Sequence, residues 1–317
     1  MNNLRIAIAM AMGAVMVAPS ALGQKDDQMG QGRIVVTILP LHSGEQMADV
    51  STQDLKIKVN GKESTVTGWT PLRGSDSRLE LMLLIDGSAR ASLGQQFSEI
   101  TAFVKEMPAN SKVGIAYMTN GRAAIAAPLS SDAAQVVKGL HLSAGSPGSN
   151  ASPYFCLSEL AQHWPSGDRT ARREVVMITD GVDNYNRRLD LNDPYVHSAI
   201  VDSVRAGLVI YSMYWQDAGR ANSTDYETST GQNLLAQVTQ STGGYSYWQG
   251  NGNPVSFAPY FADLRRRLNH QYAVSFTSPL RGKPQVQDMK LELHVASAKV
   301  DAPQMVLVTQ AHATAGE

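Results

Sequence analysis

The sequence predicts an α/β protein in which a doubly wound, mostly parallel sheet is inserted into a small β-sandwich-like domain made from N- and C-terminal strands. Two short, nearly continuous apolar runs, at 81–85 and 175–179, are typical of central strands covered by helices on both faces. Runs that alternate apolar and polar residues lie on either side, at 55–59 and 289–295, and indicate strands with one wet face. We therefore expect the two ends of the chain to pack together outside an α/β insertion.

Local spacing and turn residues predict the other elements. Asn60-Gly61 is a hairpin turn that ends the first alternating run. Ser92 and Gln95 have the spacing of a capping box, which predicts a helix start before Phe97. Helical spacing predicts further helices over 132–140, 154–163, 195–206, 233–240 and 259–269. Val/Ile-rich or alternating stretches predict strands over 33–39, 113–118, 208–214, 244–248, 272–276 and 305–308.

The composition fits a globular protein and excludes some partners. The chain has 317 residues, of which 43% are hydrophobic, enough for a large core. A formal net charge of −1 gives no overall basic field for nucleic acid or an anionic membrane. The single cysteine, Cys156, lies in an apolar stretch, so we expect a small buried residue and no intramolecular disulfide.

The first 23 residues predict a signal peptide. Arg5 precedes an apolar run at 6–17, and Ala21-Leu22-Gly23 supplies the small residues of a cleavage site. The run is shorter than the ~20 residues that span a bilayer, and no cysteine follows it for a lipid anchor. We expect an exported product, periplasmic or secreted, that does not span the membrane.

The predicted divisions follow from these patterns. They are a signal peptide (1–23), a flexible linker (24–31), an N-terminal β segment (32–75), the α/β domain (76–271), a C-terminal β segment that packs with the first (272–308) and a disordered tail (309–317).

Two aspartates mark the candidate site. Asp86 follows the first central run and is itself followed by Gly87 and Ser88, and Asp180 follows the second run. In doubly wound sheets, ligands bind outside the carboxyl ends of the strands. Carboxylate and hydroxyl oxygens there suit a hard cation.

These segments resemble von Willebrand factor type A domains. Residues 83–90 resemble the first metal-site loop of that family, Asp-x-Ser-x-Ser, and 175–184 resemble the strand that bears its last metal-site aspartate. The segment 148–161 is similar to the family's threonine loop, and 234–244 and 264–276 resemble its last helix–strand unit. The flanking β segments narrow the resemblance, which covers about 34–295, to bacterial exported "VWFA-related" proteins of the acidobacterial type.

The resemblance implies a Rossmann-like sheet with a metal-ion-dependent adhesion site on its top edge. In the family, two serines and a threonine bind Mg²⁺ directly, two aspartates act through waters, and an acidic residue of the partner completes the octahedron. The matching positions here are Asp86, Ser88, Ser152 and Asp180, with Ser149 as an alternative to Ser152. The implied ion is Mg²⁺ or Mn²⁺.

Arg90 departs from the family pattern, because it stands where the second serine ligand should be. A guanidinium has only donors and cannot bind a cation. Two alternatives follow. Arg90 swings outward and leaves a weaker site with water in the lost position, or its guanidinium fills the metal's place and bridges Asp86 and Asp180. Ser92 is not expected to substitute, since it is assigned to capping the next helix.

The leading functional hypothesis is a non-enzymatic binding or adhesion module that holds a protein or glycan partner at the top face. A bound cation would bridge to a carboxylate of the partner. The first alternative is a metal-free scaffold in which Arg90 fills the site. A further alternative, a metal-assisted hydrolase with Asp86 as nucleophile, lacks a second aspartate two residues later and a Gly-x-Ser-x-Gly elbow. Five aromatic residues are expected in or beside loops of the top face and hint at an interface: Tyr154, Tyr185, Tyr195, Trp215 and Tyr226.

Overall fold

A computed structural model describes the parts of the chain from 28 to 310 that position the candidate site. The described residues are 28–42, 44–46, 49–74, 77–142, 152–186, 190–219, 224–248, 250–280 and 283–310. The predicted signal peptide, Ser149 and residues 311–317 of the predicted tail lie outside them. Within these ranges, no helix combines the length and the apolar character needed to cross a membrane.

The described residues form thirteen strands and six α-helices. The strands are β1 Gln28–Pro40, β2 Leu55–Val59, β3 Lys62–Pro71, β4 Leu79–Asp86, β5 Ser111–Thr119, β6 Arg122–Ser130, β7 Arg172–Thr179, β8 Leu208–Tyr214, β9 Ser246–Tyr247, β10 Gln271–Leu280, β11 Gln285–Leu293, β12 Ala298–Asp301 and β13 Met305–Gln310. The helices are α1 Phe97–Lys105, α2 Ala133–Val136, α3 Pro153–Gln162, α4 Pro194–Ala206, α5 Asp225–Thr242 and α6 Ala258–Leu268.

The α/β domain contains a six-stranded sheet in the order β6-β5-β4-β7-β8-β9. All neighbours are parallel except the edge strand β6, which forms a hairpin with β5. This is a doubly wound order whose direction of winding reverses between β4 and β7. The predicted mostly parallel sheet is therefore present, and its switch point lies between the two apolar runs that the sequence marks.

Alternate residues of β4 pack into two different cores. Leu81 and Leu83 lie in a cluster with Phe103 of α1 and Leu264 of α6. The intervening residues, represented by Leu84, lie in a second cluster with side chains of α3, α4 and α5. Burial on both faces explains why β4 is apolar along nearly its whole length.

The N- and C-terminal strands form a closed ring and not a sandwich. The order β10-β3-β2-β11-β13-β1 closes because β1 also pairs with β10, and every pairing is antiparallel. The short β12 adds to the far end of β1. The expectation of a β-sandwich-like domain is thus wrong, because the 13-residue β1 is long enough to bond along both of its edges. Its core holds Val36, Val274, Phe276 and Val308, all with no exposed surface.

Several predicted boundaries are also corrected. Residues 28–31, assigned to a flexible linker, belong to β1, and residues 309–310, assigned to the tail, belong to β13. Ser92 does not cap a helix. The chain instead passes through a 3₁₀ turn over Ala91–Gln96, with Arg90 at its N-cap, before α1 begins.

A buried polar group lies where the bottom of the α/β sheet meets the ring. Glu174 of β7 has no exposed surface, and the nearest cation is Arg172, whose Nε lies 3.8 Å from its Oε1. The Arg172 guanidinium also donates to the carbonyl of Leu268 (2.9 Å) and to the side chain of Gln271. Gln271 in turn donates to the hydroxyl of Tyr211 at 3.0 Å. Neither carboxylate oxygen of Glu174 makes a well-formed hydrogen bond with the described residues, although the nearby Gln271 side chain acts to lower its pKa.

Cys156 is a buried structural residue, as expected. Its side chain on α3 has no exposed surface. Burial raises the pKa of the thiol to about 12, so the reactive thiolate is not formed near neutral pH.

Candidate metal site at the top of the α/β sheet

The structure places Asp86 and Asp180 at the same edge of the sheet. β4 and β7 are parallel neighbours, with Ile85 opposite Ile178, so the residues that follow them emerge side by side. Asp86 is 1% exposed and Asp180 is 2% exposed. Two carboxylates are therefore held in a largely water-free environment at the switch point.

A glycine after each aspartate allows this close approach. A Cβ on Gly87 would lie 2.3 Å from the carbonyl oxygen of Met118 on β5. Gly181 has a φ of 73°, and a Cβ there would lie 2.5 Å from the carbonyl oxygen of Gly231 on α5. Each Asp-Gly pair is thus required by the backbone, because a side chain at either glycine would push the loop away from its neighbour.

Ser88 joins Asp86 to a third aspartate. Oδ1 of Asp86 accepts from the Ser88 backbone N–H (2.8 Å) and hydroxyl (2.7 Å), and Oδ2 accepts from the hydroxyl of Thr179 (2.8 Å). The Ser88 hydroxyl also contacts Oδ2 of Asp217. The backbone N–H of Asp217 lies 3.3 Å from Oδ2 of Asp180, so three carboxylates and two hydroxyls form one connected group.

Asp217 is a site residue that the sequence analysis missed. It lies in the loop after β8 and is 2% exposed. A short antiparallel bridge between Ala89 and Asp217, with Ala218 donating to the Ser88 carbonyl (2.7 Å), holds that loop against the Asp86 loop. One signal was available: Asp217 comes soon after a third continuous apolar strand, at the same end of the sheet.

The Ser88 hydroxyl lies between two carboxylates. Ser88 has one hydroxyl hydrogen, yet its oxygen lies at hydrogen-bond distance from carboxylates of both Asp86 and Asp217. Burial raises the pKa of Asp86, and the charge of Asp217 raises it further, against the lowering effect of the Ser88 and Thr179 hydrogen bonds. Either a shared proton or a cation would relieve this arrangement.

Ser152 belongs to a neighbouring network. It caps α3 by accepting from the Phe155 N–H (3.2 Å), and its hydroxyl donates to Oδ2 of Asp183 at 2.8 Å. Tyr154 links this network to the Asp180 loop, because its hydroxyl donates to the carbonyl of Gly181 at 2.6 Å. The structure thus brings Asp86, Ser88 and Asp180 together through Asp217, whereas the Ser152 hydroxyl donates to Asp183.

Arg90 is anchored by its backbone. Its N–H donates to the carbonyl of Gln216 (3.0 Å), and its carbonyl accepts from Nε1 of Trp215 (3.3 Å). The residue is partly exposed. These bonds involve only the backbone of Arg90, so for its guanidinium the outward and the metal-replacing orientations stay as two hypotheses.

The strand order and the paired strand-end aspartates are those that the family resemblance implies. The inserted domain has the Rossmann-like α/β architecture that the resemblance to von Willebrand factor type A domains implies. No family model matches the sequence, and no curated protein matches it. Within the parts of the chain that the structure describes, no three His, Cys, Asp or Glu side chains already form a metal-binding group.

Comparison with solved structures finds likenesses to two Bacteroides proteins and to one VWA domain. An aerotolerance-related membrane protein from Bacteroides fragilis is 15% identical with a TM-score of 0.44, covering 60% of this chain and 98% of its own. BatB from Bacteroides thetaiotaomicron is 14% identical with a TM-score of 0.41, over 60% and 97% of the two chains. The SpRpn10 VWA domain is 11% identical with a TM-score of 0.37, over 59% and 94%. At these values the likenesses add nothing about function.

Proposed function

We propose that this protein is an exported, non-enzymatic binding module. Its type A domain holds Mg²⁺ or Mn²⁺ beside Asp86, Ser88 and Asp180, and binds an acidic group of a protein partner there. The observation that supports this most directly is the single Ser88 hydroxyl placed between the carboxylates of Asp86 and Asp217. A divalent cation would neutralise negative charge on these buried carboxylates.

The donor set fits a hard cation. The side chains that meet at the site offer carboxylate and hydroxyl oxygens, which are the ligands that Mg²⁺ and Mn²⁺ prefer. Asp217 adds an oxygen donor that could compensate for the serine that Arg90 replaces. A bound ion would supply the positive charge that attracts a partner's carboxylate.

An aromatic group beside the site, with one exposed and two partly buried rings, suits a protein partner. Phe155, Tyr185 and Tyr195 form an edge-to-face group with ring centroids 4.7–5.6 Å apart. Tyr185 is 63% exposed, and its backbone N–H donates to Asp183 at 2.7 Å, so the ring stands next to the acidic loops. An exposed tyrosine supported by neighbouring rings is typical of protein interfaces. Of the other aromatic residues expected at this face, Tyr226 is exposed, whereas Tyr154 and Trp215 are buried.

One observation favours the metal-free scaffold as a second candidate. Both carboxylate oxygens of Asp86 already accept hydrogen bonds from Ser88 and Thr179. A proton shared between Asp86 and Asp217 would complete this group without an ion.

Removing one carboxylate should weaken metal binding. We expect calorimetric titration of the EDTA-stripped protein to show saturable Mg²⁺ or Mn²⁺ binding, and Asp180→Asn to weaken it by roughly tenfold or more, since a charged ligand is lost. Asp288→Asn, an exposed aspartate on β11, is the matched control and should bind as wild type does. Equal affinities of Asp180→Asn and wild type would rule out the proposed site.

Arg90→Ser separates the two candidate functions. In the metal-binding proposal wild type binds the ion, and the new serine tightens binding by restoring a ligand and removing a nearby positive charge. In the scaffold alternative wild type binds no ion, and binding appears only in Arg90→Ser. The same titration, run on both proteins side by side, distinguishes these outcomes.

A further inference from the structure

A second cleft lies at the open edge of the α/β sheet and shares no residue with the candidate metal site. Its volume is about 420 Å³, within the range of small-ligand sites. It runs along β9, between α5 and α6, and Asp301 of β12 lines its end nearest the ring. Four of its ten lining residues are aromatic: Tyr245, Tyr247, Trp248 and Tyr260.

The aromatic rings are held in a fixed arrangement. Tyr247 is 5% exposed, its ring centroid lies 5.1 Å from that of Tyr245 and 5.5 Å from that of Tyr260, and its hydroxyl donates to Asp263 at 3.0 Å. The guanidinium of Arg267 lies 4.0 Å from the centroid of the Tyr245 ring. These contacts pre-organise the wall, which lowers the entropy cost of binding a ligand.

Trp248 is held in an unfavourable backbone conformation. Its φ is 71°, a left-handed value that bulky residues rarely adopt. Its indole N–H donates to the carbonyl of Gly252 at 2.9 Å, which fixes the ring at the cleft. Strained residues of this kind concentrate at ligand-binding positions.

The charges around the cleft exclude several ligands. Among its described lining residues there is no Lys, Arg or His, so it offers no cation to an anionic ligand. Asp301 accepts from Arg267, which also donates to Asp263, and Asp263 accepts from Arg266. The charges of these two carboxylates and two guanidiniums cancel, so the electrostatic field at the cleft does not attract a cationic ligand either.

The remaining polar groups match a ligand with many hydroxyls. Asp301 is an acceptor on the cleft wall, and the exposed Gln240 supplies both donors and an acceptor. A proline-rich peptide has few N–H donors for such a carboxylate. A sugar presents apolar C–H faces to aromatic rings and hydroxyls to polar side chains. We propose that this cleft binds a neutral carbohydrate.

Binding assays with defined probes test this proposal. We would titrate the purified protein with cellotetraose, maltotetraose, xylotetraose and chitotetraose, using calorimetry and saturation-transfer NMR. Choline and decaproline serve as probes for a cationic ligand and a proline-rich peptide. We expect at least one neutral tetrasaccharide to bind saturably, and Trp248→Ala and Tyr260→Ala each to weaken it about tenfold through loss of one stacking contact. Val255→Ala, at a residue that is 94% exposed and does not line the cleft, is the control and should bind as wild type does.

Melting temperatures show whether each variant is folded. Trp248 is half-buried and Tyr260 is partly exposed, so at least the Tyr260 variant should fold and test the ring's role. The proposal fails if no neutral tetrasaccharide binds, if only choline or decaproline binds, or if the folded variants bind as tightly as wild type.

Discussion

Glu174→Gln is expected to stabilise the protein at pH 8 and to flatten the pH dependence of its stability between about pH 5 and pH 8. Burial raises the pKa of Glu174 from 4.5 to about 7, and the charge of Arg172 and the Gln271 side chain offset this only in part. The folded chain therefore keeps a proton that the unfolded chain releases. The stabilisation that comes from this raised pKa is fully present below the unfolded pKa near 4.5. It is lost as the pH rises through about 7. At pH 8 the substitution should raise the free energy of unfolding by at most roughly 3 kcal/mol.

Urea unfolding at pH 5, 6, 7 and 8 measures this effect. Glu45→Gln, at an exposed glutamate of the N-terminal segment, is the control and should shift the free energy of unfolding little at any of these pH values. If Glu174→Gln is less stable than wild type throughout, the carboxylate is ionised and its attraction to Arg172 outweighs the cost of burial. The neutral amide would then have removed a stabilising ion pair.

Gly231→Ala is expected to destabilise the protein, although the same change in an ordinary helix interior gains about 1 kcal/mol. Gly231 lies within α5, and a Cβ there would come 2.3 Å from the carbonyl oxygen of Asp180 and 2.9 Å from the Val182 side chain. The carbonyl is backbone at the end of a central strand, so it cannot move aside without moving the site. Overpacking of this kind costs about 1–3 kcal/mol, which outweighs the gain in helix propensity.

Thermal and urea unfolding test the stability change, and ion titration tests its effect on the site. Ser229→Ala introduces the same residue into the same helix at an exposed position, so it should leave stability unchanged or raise it slightly. We expect Gly231→Ala to weaken Mg²⁺ or Mn²⁺ binding as well, because Asp180 is displaced. A Gly231→Ala protein as stable as Ser229→Ala would show that α5 can shift away from the strand without loss.

The sequence predicts every strand of the α/β sheet except the antiparallel edge strand β6. β4, β7 and β8 are recognisable because strands buried on both faces must be apolar throughout. The edge strand β6 was not predicted, since Arg122–Ser130 is alanine-rich and mostly exposed or half-buried. Ring closure was missed for a different reason. Alternation of apolar and polar residues shows that a strand has one solvent-exposed face, but not which distant strand it will pair with.

The candidate site was also predicted only in part. Asp86 and Asp180 could be found because each ends an apolar strand. Asp217 lies in a polar loop, and only the pairing of that loop with Ala89 brings it to Ser88. The error at Ser92 arose because the capping-box spacing is local, whereas the start of the turn at Arg90 depends on a backbone bond to Gln216.

Because the ring pairs the first described strand with the last ones, its formation depends on the order in which the strands are synthesised. β1 pairs Gln28 with Leu280 and Gly32 with Val308, so its partners come from the last part of the described chain. Contacts this distant in sequence raise the contact order and slow folding. In a polypeptide that emerges amino end first, the α/β sheet can form while β1 still has two open edges, which invite aggregation. Synthesis of β10 to β13 then closes the ring, so a chain cut before β10 would leave both edges of β1 without these partners.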